Sequence, residues 1–328
     1  MKSSKMKAII CTKYGSPEVL QLREVEKPTP KDKEVLIKIR VTSVTAADGM
    51  MRKGAPYIGR LFLGLTKPKH PITGTGFAGE IVAIGKEVTL FKKGDQVFGE
   101  SILGAGTNAE FVCVPEDGIL AKNPKNRTPE ELASICDGPL TSLNFLKKKA
   151  NIQPGQNVLI IGASGALGTS GVQLAKHFGA KVTGVCSTTN LELVKMLGAD
   201  KVIDYTVADF TNNGQTYDII YDAVGKNSFS TCKDSLTQKG VYLSPVLELP
   251  LLFQMIKTSI IGTKKAMFDA TGMRPVPELR ILLQELIEIM VSGNLKTVID
   301  RRYPLAEVAE AHKYVDTGHK KGNIVINV

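Results

Sequence analysis

Residues 158–168 read Val-Leu-Ile-Ile-Gly-Ala-Ser-Gly-Ala-Leu-Gly, four apolar residues that give way to small ones and then to a helical pattern. The unbroken Val158-Leu159-Ile160-Ile161 fits a parallel strand buried between helices, which needs no polar face. Small residues after such a strand let the backbone approach a diphosphate, whose charge rests on the N–H groups opening the next helix. Against the Gly-x-Gly-x-x-Gly fingerprint, Ala163 takes the first glycine position, Gly165 the second and Gly168 the third, with Gly162 one residue upstream. The expected cradle is therefore Ala163, Ser164, Gly165, Ala166, Leu167 and Gly168. A glycine-rich turn alone carries little weight. Here the context supplies it: a strand precedes, a helix follows over 169–178, a second strand follows over 181–186, and strand–helix alternation continues for about a hundred residues more.

That second strand ends at Cys186, followed by Ser187-Thr188-Thr189-Asn190. A site that selects NAD places Asp or Glu here, to bind the ribose 2′-hydroxyl and repel a 2′-phosphate. No acid is present. Cys186 marks the strand end, and Ser187, Thr188 and Asn190 can donate to a phosphate, so NADPH is expected in preference to NADH.

The elements that must position this cradle come next. At 328 residues the chain is long enough for two domains, and 43% apolar with 23% charged residues is ordinary for a globular protein. Up to about residue 120 it alternates like strands, as in 35–41, 79–85, 96–99 and 109–114, with turns such as Lys93-Gly94-Asp95 between them; this predicts a partly closed antiparallel β domain. From Thr128 onward helices alternate with buried strands, over 201–205, 217–222, 240–244 and 259–262, the pattern of an α/β doubly wound parallel sheet. The apolar stretch 247–257 reads as a loop. Two amphipathic helices, over 277–292 and 306–317, precede a last strand, 323–328, expected to return to the N-terminal domain. The predicted division is 1–122 with 265–328 against 123–264.

Bulk properties exclude several classes. No tract of about 18 apolar residues exists, so no membrane span is expected. Met1 to Lys7 is basic but runs straight into Ala8-Ile9-Ile10, without the apolar core of a signal peptide, which points to the cytoplasm. Cys11, Cys113, Cys136, Cys186 and Cys232 show no Cys-x-x-Cys spacing and are expected to be buried thiols. The net charge of +10 is spread in short clusters such as Lys147-Lys148-Lys149, without interleaved aromatics, so no nucleic-acid partner is expected. The surplus favours a polyanionic ligand.

Further motifs extend over nearly the whole chain: Val44-Thr45-Ala46-Ala47-Asp48 before Arg52-Lys53-Gly54, Gly74-Thr75-Gly76-Phe77-Ala78-Gly79, Phe91-Lys92-Lys93-Gly94-Asp95, Pro154-Gly155-Gln156 before the cradle, Leu197-Gly198-Ala199-Asp200, Asp222-Ala223-Val224-Gly225, and 318–323. Together they resemble the medium-chain dehydrogenase/reductase superfamily, in its zinc-free quinone oxidoreductase branch. The resemblance implies a Rossmann domain joined to a discontinuous GroES-like domain. It also implies a homodimer formed through the last cofactor-domain strand, near 259–262. At the positions where zinc-dependent members hold their metal this chain has Thr45, Thr75 and Asp137, with Cys136 adjacent; threonines suit tetrahedral zinc poorly, so no metal is expected. Thr141, Ala223, Val224, Gly225, Ser244 and Asn323 match positions bordering the cofactor, and Thr189 stands where relatives often carry arginine. Tyr205 matches a tyrosine that covers the adenine edge; an ordinary strand-end aromatic is the alternative reading.

Thr45 and Asp48 match a loop that faces the nicotinamide in relatives, where they would orient the acceptor or relay a proton; they also read as a loop-capping pair. Met50 stands where relatives often have a tyrosine, which leaves Tyr57 or Arg60 as substitutes. Hydride transfer to a simple ketone calls for a Lewis acid or a strong proton donor. A quinone or enone spreads the incoming charge and relaxes that demand. The expected activity is NADPH-dependent reduction of a quinone or other conjugated carbonyl, a small-molecule electron acceptor. An enoyl or 2-alkenal reductase and a non-catalytic NADPH-binding protein are the alternatives.

Overall fold

The structure, a computed structural model, describes residues 5–55, 57–101 and 106–328. The first four residues of the basic N-terminal stretch, and part of the span between Phe98 and Phe111, lie outside the described residues. In chain order the strands are β1 (Lys5–Cys11), β2 (Leu20–Glu26), β3 (Glu34–Val44), β4 (Gly76–Ile84), β5 (Gln96–Glu100), β6 (Phe111–Pro115), β7 (Ile119–Lys122), β8 (Asn157–Ile161), β9 (Lys181–Cys186), β10 (Lys201–Asp204), β11 (Tyr217–Asp222), β12 (Leu236–Ser244), β13 (Lys265–Phe268), β14 (Ile299–Pro304) and β15 (Asn323–Asn327).

The chain forms two compact units, one of Met1–Asp137, Pro275–Ile287 and Thr297–Val328, the other of Gly138–Arg274 and Glu288–Lys296. These limits differ from the expected 122/123 and 264/265. The helix Pro129–Ala133 packs on β3, β4 and β5, burying Leu132 and Ala133, which keeps it in the first unit. Strand β13 pairs with β12 and extends the second unit past residue 264.

In the first unit a seven-stranded sheet runs β14-β15-β3-β4-β5-β7, with β6 also paired to β3, beside the antiparallel hairpin β1-β2. The alternation along β3 sends Val35, Ile37 and Ile39 inward against Phe77, Ile81, Val97 and Val112. The last strand does return: Ile324, Val325 and Ile326 are fully buried, and β15 pairs antiparallel with β3. The helix Val308–Asp316 covers it, with Val308, Ala311 and Val315 packed on Ile324, Ile326 and Ile9.

In the second unit six parallel strands lie in the order β10-β9-β8-β11-β12-β13. Sequence steps outward from β8 in one direction and then from β11 in the other, so β8 and β11 flank the point where the order reverses, which is where such sheets bind ligands. The helix expected over 169–178 starts earlier, at Ala166, and runs to His177. The segment 138–149 is an α-helix, Gly138–Leu143, continued by a π-helical turn, Asn144–Lys149.

Two expectations fail together. The loop 247–257 and the strand 259–262 are one helix, Leu249–Ile260, and the sheet's last strand is β13. Pro250 sits in the first turn, where its missing N–H costs nothing. Leu251, Met255 and Thr258, spaced 4 and 3 apart, face inward, while Leu249, Phe253, Ile256 and Ile260 are exposed. That helical period was hidden by an almost continuous apolar run.

Candidate active site

The cradle is built by the β8 turn. The amides of Gly162 and Ala163 donate to Val185 O, and that of Gly165 donates to Gly162 O, which draws the turn against β9. Gly162 has φ +73°, and Val224 Cγ2 would lie 2.2 Å from a Cβ placed there. A Cβ on Gly168 would lie 2.1 Å from Gly162 O, so only glycine lets the helix seat this close. At Gly165, by contrast, a Cβ would meet nothing nearer than Gly162 O at 3.5 Å, leaving that face open. Thr169 N to Gly165 O, at 2.8 Å, is the first helical bond, so the amides of Ala166, Leu167 and Gly168 precede it at the positive end of a 12-residue helix. The Ala163 and Gly165 amides are bonded within the turn.

The loop after β9 lies against the cradle. Asn190 is buried, its Nδ2 donates to Ser164 Oγ at 3.1 Å and to Ser187 Oγ at 3.2 Å, and its Oδ1 is buried without a partner. Cys186 is also buried, and burial pushes its thiol up to about 11, so it serves as a packed strand end. Thr188 Oγ1 donates to Asp204, which pairs in register with Cys186 on the neighbouring strand. The fingerprint expects an acid at the end of β9, so a carboxylate brought alongside by β10 carries no signal in the sequence. Hydrogen bonds from Thr188 and Thr206 hold Asp204 below the usual carboxylate range. Tyr205, next to it, is exposed.

Asp222 organises the opposite rim. Its Oδ1 accepts from Val224 N and Gly225 N, and its Oδ2 from Asn227 N and Tyr242 Oη. Ala223, Val224 and Gly225 are thus fixed as a turn after β11, and Ser244 closes β12 with its hydroxyl bonded to Val246. Thr141 lies in the helix Gly138–Leu143, whose Ser142 donates to Leu167 O at 2.9 Å. An orphaned buried acceptor, a turn with an open glycine face and ungated helical amides are the features a dinucleotide diphosphate and ribose require.

The first unit brings Thr45 and Asp48 together. Thr45 N and Oγ1 both donate to Asp48 Oδ2 at 2.8 Å, and Asp48 N donates back to Thr45 Oγ1 at 3.1 Å. This is a capping box on the helix Ala46–Lys53. Capping leaves Asp48 Oδ1 buried and without a hydrogen-bond partner. Burial pushes its carboxyl up to about 7, against the hydrogen bonds from Thr45 and helped by the charge of Asp137. Glu100, half-buried at the end of β5, is raised to about 8 by burial and by Asp137 and Asp48. Lys320 is lowered to about 8 by burial, with Asp137 opposing. Glu100 and Lys320 are far apart in sequence and were not read as site residues.

The other expectations separate. Tyr57 is 79% exposed, with the Arg60 guanidinium 4.7 Å above its ring, and does not line the pocket that Asp48 borders. Asn323 is buried in the first unit, with its Nδ2 donating to Val298 O at 3.1 Å. Asp48 does border a small pocket, with Cys11, Arg52, His70 and Thr73. Among the described residues no three His, Cys, Asp or Glu side chains group as a metal site. The donors themselves do not suit zinc: the Thr45 hydroxyl is bonded to Asp48, and Asp137 faces Lys320. All five cysteines are free thiols.

Comparison with known proteins agrees with this anatomy. The family model "Alcohol dehydrogenase GroES-like domain" matches residues 31–125, and "Zinc-binding dehydrogenase" matches 197–326. The chain is 32% identical over 343 residues to the chloroplast envelope quinone oxidoreductase homolog of Arabidopsis thaliana, covering 99% of both. It is 33% identical over 336 residues to 2-methylene-furan-3-one reductase of Solanum lycopersicum, covering 99% of this chain and 79% of that one. The solved structure of mycobacterial Rv1454c complexed with NADPH superposes with a TM-score of 0.82 at 26% identity, over 98% of this chain and all of that one. A Rossmann-type parallel sheet and a GroES-like β unit define an oxidoreductase of the medium-chain class. The chain belongs to the medium-chain dehydrogenase/reductase superfamily, in its zinc-free, quinone oxidoreductase-like branch.

Proposed function

We propose that this oxidoreductase uses NADPH to reduce a quinone or another conjugated carbonyl, without a metal. The observation that carries the reading is Asp48, a buried carboxyl raised to about 7, clamped on one oxygen by Thr45 and unpartnered on the other. Ala166, Leu167 and Gly168 amides would hold the diphosphate, Asn190, Ser187 and Thr188 the adenosine ribose side, and the Asp222-ordered turn 223–225 with Ser244 and Thr141 the nicotinamide side. When bound, the reduced nicotinamide supplies a hydride, a proton with two electrons, leaving the reduced acceptor one proton short of its neutral product. Asp48 is suited to supply that proton: a carboxyl near neutrality is both protonated enough and acidic enough at physiological pH. Thr45 holds the other carboxyl oxygen, Oδ2, as an acceptor, which leaves Oδ1 as the oxygen that carries and delivers the proton. The proton lost by Asp48 is regained from solvent, and hydride transfer is balanced by oxidation of NADPH to NADP⁺.

The NADPH-bound mycobacterial neighbour and the absence of an acid on β9 support the cofactor; Asp204 beside Cys186 works against it. The quinone oxidoreductase homolog supports a quinone, and the tomato reductase supports the second reading, an enone or 2-alkenal reductase. Titration with NADPH and NADH, followed by turnover of 1,2-naphthoquinone against a 2-alkenal, tests both. Tight NADPH binding with no oxidation by either acceptor would instead favour a binding protein.

A homodimer belongs to the same proposal. The exposed Leu249, Phe253, Ile256, Ile260 and Ile261 adjoin the edge strand β13, the place the sequence reading assigned to 259–262, and light scattering at micromolar concentration tests it. Five free thiols support a reducing compartment such as the cytoplasm, although the named relatives include a chloroplast protein; cell fractionation decides. No helix among the described residues is long and apolar enough to cross a membrane.

A further inference from the structure

The pocket bordered by Asp48 has an unusual wall. Arg52, in the last turn of the helix Ala46–Lys53, lines it with a fully buried side chain. Its Nη2 donates to Asp316 Oδ2 at 2.6 Å, but Nε and Nη1 are buried and have no hydrogen-bond partner among the described residues. A guanidinium carries five N–H donors and stays charged, so buried donors left open are costly unless a ligand takes them. Asp316 is shared by Arg52 and by Lys53 Nζ at 2.9 Å, two cations on one carboxylate. His312, packed beside them in the helix Val308–Asp316, is fully buried and pushed down to about 3 by burial and by Arg52, so it adds no charge. Lys53 is half-exposed and outside the pocket lining, so what the pocket offers a ligand is the open Nε and Nη1 donors of Arg52 rather than a surplus of charge.

Size narrows the ligand. The pocket has room for about 50 Å³, a few times the space that one water needs. That admits a carboxylate on a short arm and excludes a bicyclic ring. Cys11, Tyr14, Met51, His70 and Thr73 form much of the rest of the wall; burial raises the Cys11 thiol, and Asp48, raised to about 7, is the one carboxyl in the lining, so the pocket is freest of competing charge below neutral pH.

We propose that this pocket is a carboxylate subsite in which Arg52 holds the anionic end of a short conjugated oxo-acid, the acceptor of the reaction. The assignment of that ligand as an acceptor rests on the proposed reductase activity; the binding of its carboxylate does not. Arg52 acts here as a binding residue, with Asp316 positioning it.

Calorimetry with 4-oxopentanoate and its methyl ester tests the subsite without turnover. The acid is expected to bind the unmodified chain at least about ten-fold more tightly than the ester, as a charge-assisted hydrogen bond demands. Arg52→Lys, which cannot keep Asp316 and still offer a fixed fork, is expected to lose about ten-fold. Met51→Phe fills the pocket, leaves the Arg52–Asp316 pair intact, and is expected to lose as much at unchanged melting temperature. Equal affinity for acid and ester, or unchanged affinity in both variants, overturns the subsite. Inorganic phosphate binding as tightly as the oxo-acid, and displaced by it, overturns the oxo-acid assignment. Kinetics with trans-4-oxo-2-pentenoate and its methyl ester then separate the two ideas. Turnover of both at equal kcat/KM counts against the subsite alone. Arg52-dependent binding without turnover of either, or of any quinone, counts against the reductase reading alone.

Discussion

Thr45 and Asp48 hold each other from both sides: the threonine amide and hydroxyl donate to one carboxylate oxygen at 2.8 Å, and the aspartate amide donates to the threonine hydroxyl at 3.1 Å. The same three bonds that start a helix leave one carboxyl oxygen buried and open. A structural cap and a candidate proton donor are thus one object, so the two readings that the sequence left side by side are compatible.

If Asp48 delivers the proton, kcat/KM for an enone is expected to fall as pH rises through about 7, because the carboxyl must be protonated to act. Asp48→Asn should lower kcat by about 10²-fold, the scale of a lost general acid. Thr45→Val removes a bond that favours the charged carboxylate, so the inflection should move to higher pH. A flat profile from pH 6 to 9 for both chains would remove Asp48 from the mechanism.

Stability should also depend on pH, with a sign that can be worked out. Asp48 and Glu100 have folded values near 7 and 8, above their ordinary 3.8 and 4.5, so their contribution is full at low pH and is lost as pH rises through the folded values. His312 works oppositely between about 3 and 6.5, because the unfolded chain binds its proton there. Lys320 restores stability only above about 8. Between pH 6.5 and 8 the two acids act alone, and the melting temperature is expected to drop. Glu100→Gln should flatten that slope; an unchanged slope would show that Glu100 does not titrate in this window.

Two glycines of the cradle separate folding from binding. Gly168→Ala puts a Cβ 2.1 Å from Gly162 O, which backbone cannot yield, so the melting temperature should fall by several degrees, as for a loss of one or more kcal/mol. Gly165→Ala meets nothing within 3.5 Å in the protein, so it should melt normally yet bind NADPH about ten-fold more weakly, since the methyl projects onto the open face. Fluorescence titration beside thermal melts distinguishes the pair. Equal NADPH affinity in Gly165→Ala and the unmodified chain would place the diphosphate elsewhere.

Cofactor choice should turn on Asp204. Removing its charge with Asp204→Asn, or adding a cation with Thr189→Arg, is expected to improve NADPH over NADH by about ten-fold, by the strength of a charge-assisted contact to phosphate. A ratio of binding constants that neither change moves would mean that no 2′-phosphate sits at this loop. Dialysis against a chelator is expected to leave activity intact; activity lost and restored by zinc would overturn the metal-free reading, which rests on Thr45, Thr75 and Asp137 as poor zinc donors.

What the sequence determined by itself was the local work. The end of β8, its turn and the first residues of the helix occupy the eleven consecutive residues 158–168, and a strand, a tight turn and a helix start are set by neighbours in the chain, so the cradle could be read directly. The same holds for the parallel strands 181–186 and 217–222, whose bounds the structure matches, and for the cap linking positions 45 and 48. The helix Leu249–Ile260 could not be read this way, because apolar residues on both faces erase the period that separates helix from strand. Tertiary structure alone decided that Asp204 stands beside Cys186, that Glu100, Asp137 and Lys320 bias one another, and that Arg52 meets Asp316 across 264 residues. Charges shift one another through space and burial, not along the chain, so the acidity of Asp48 and the open donors of Arg52 exist only once the distant strands and helices have closed around them.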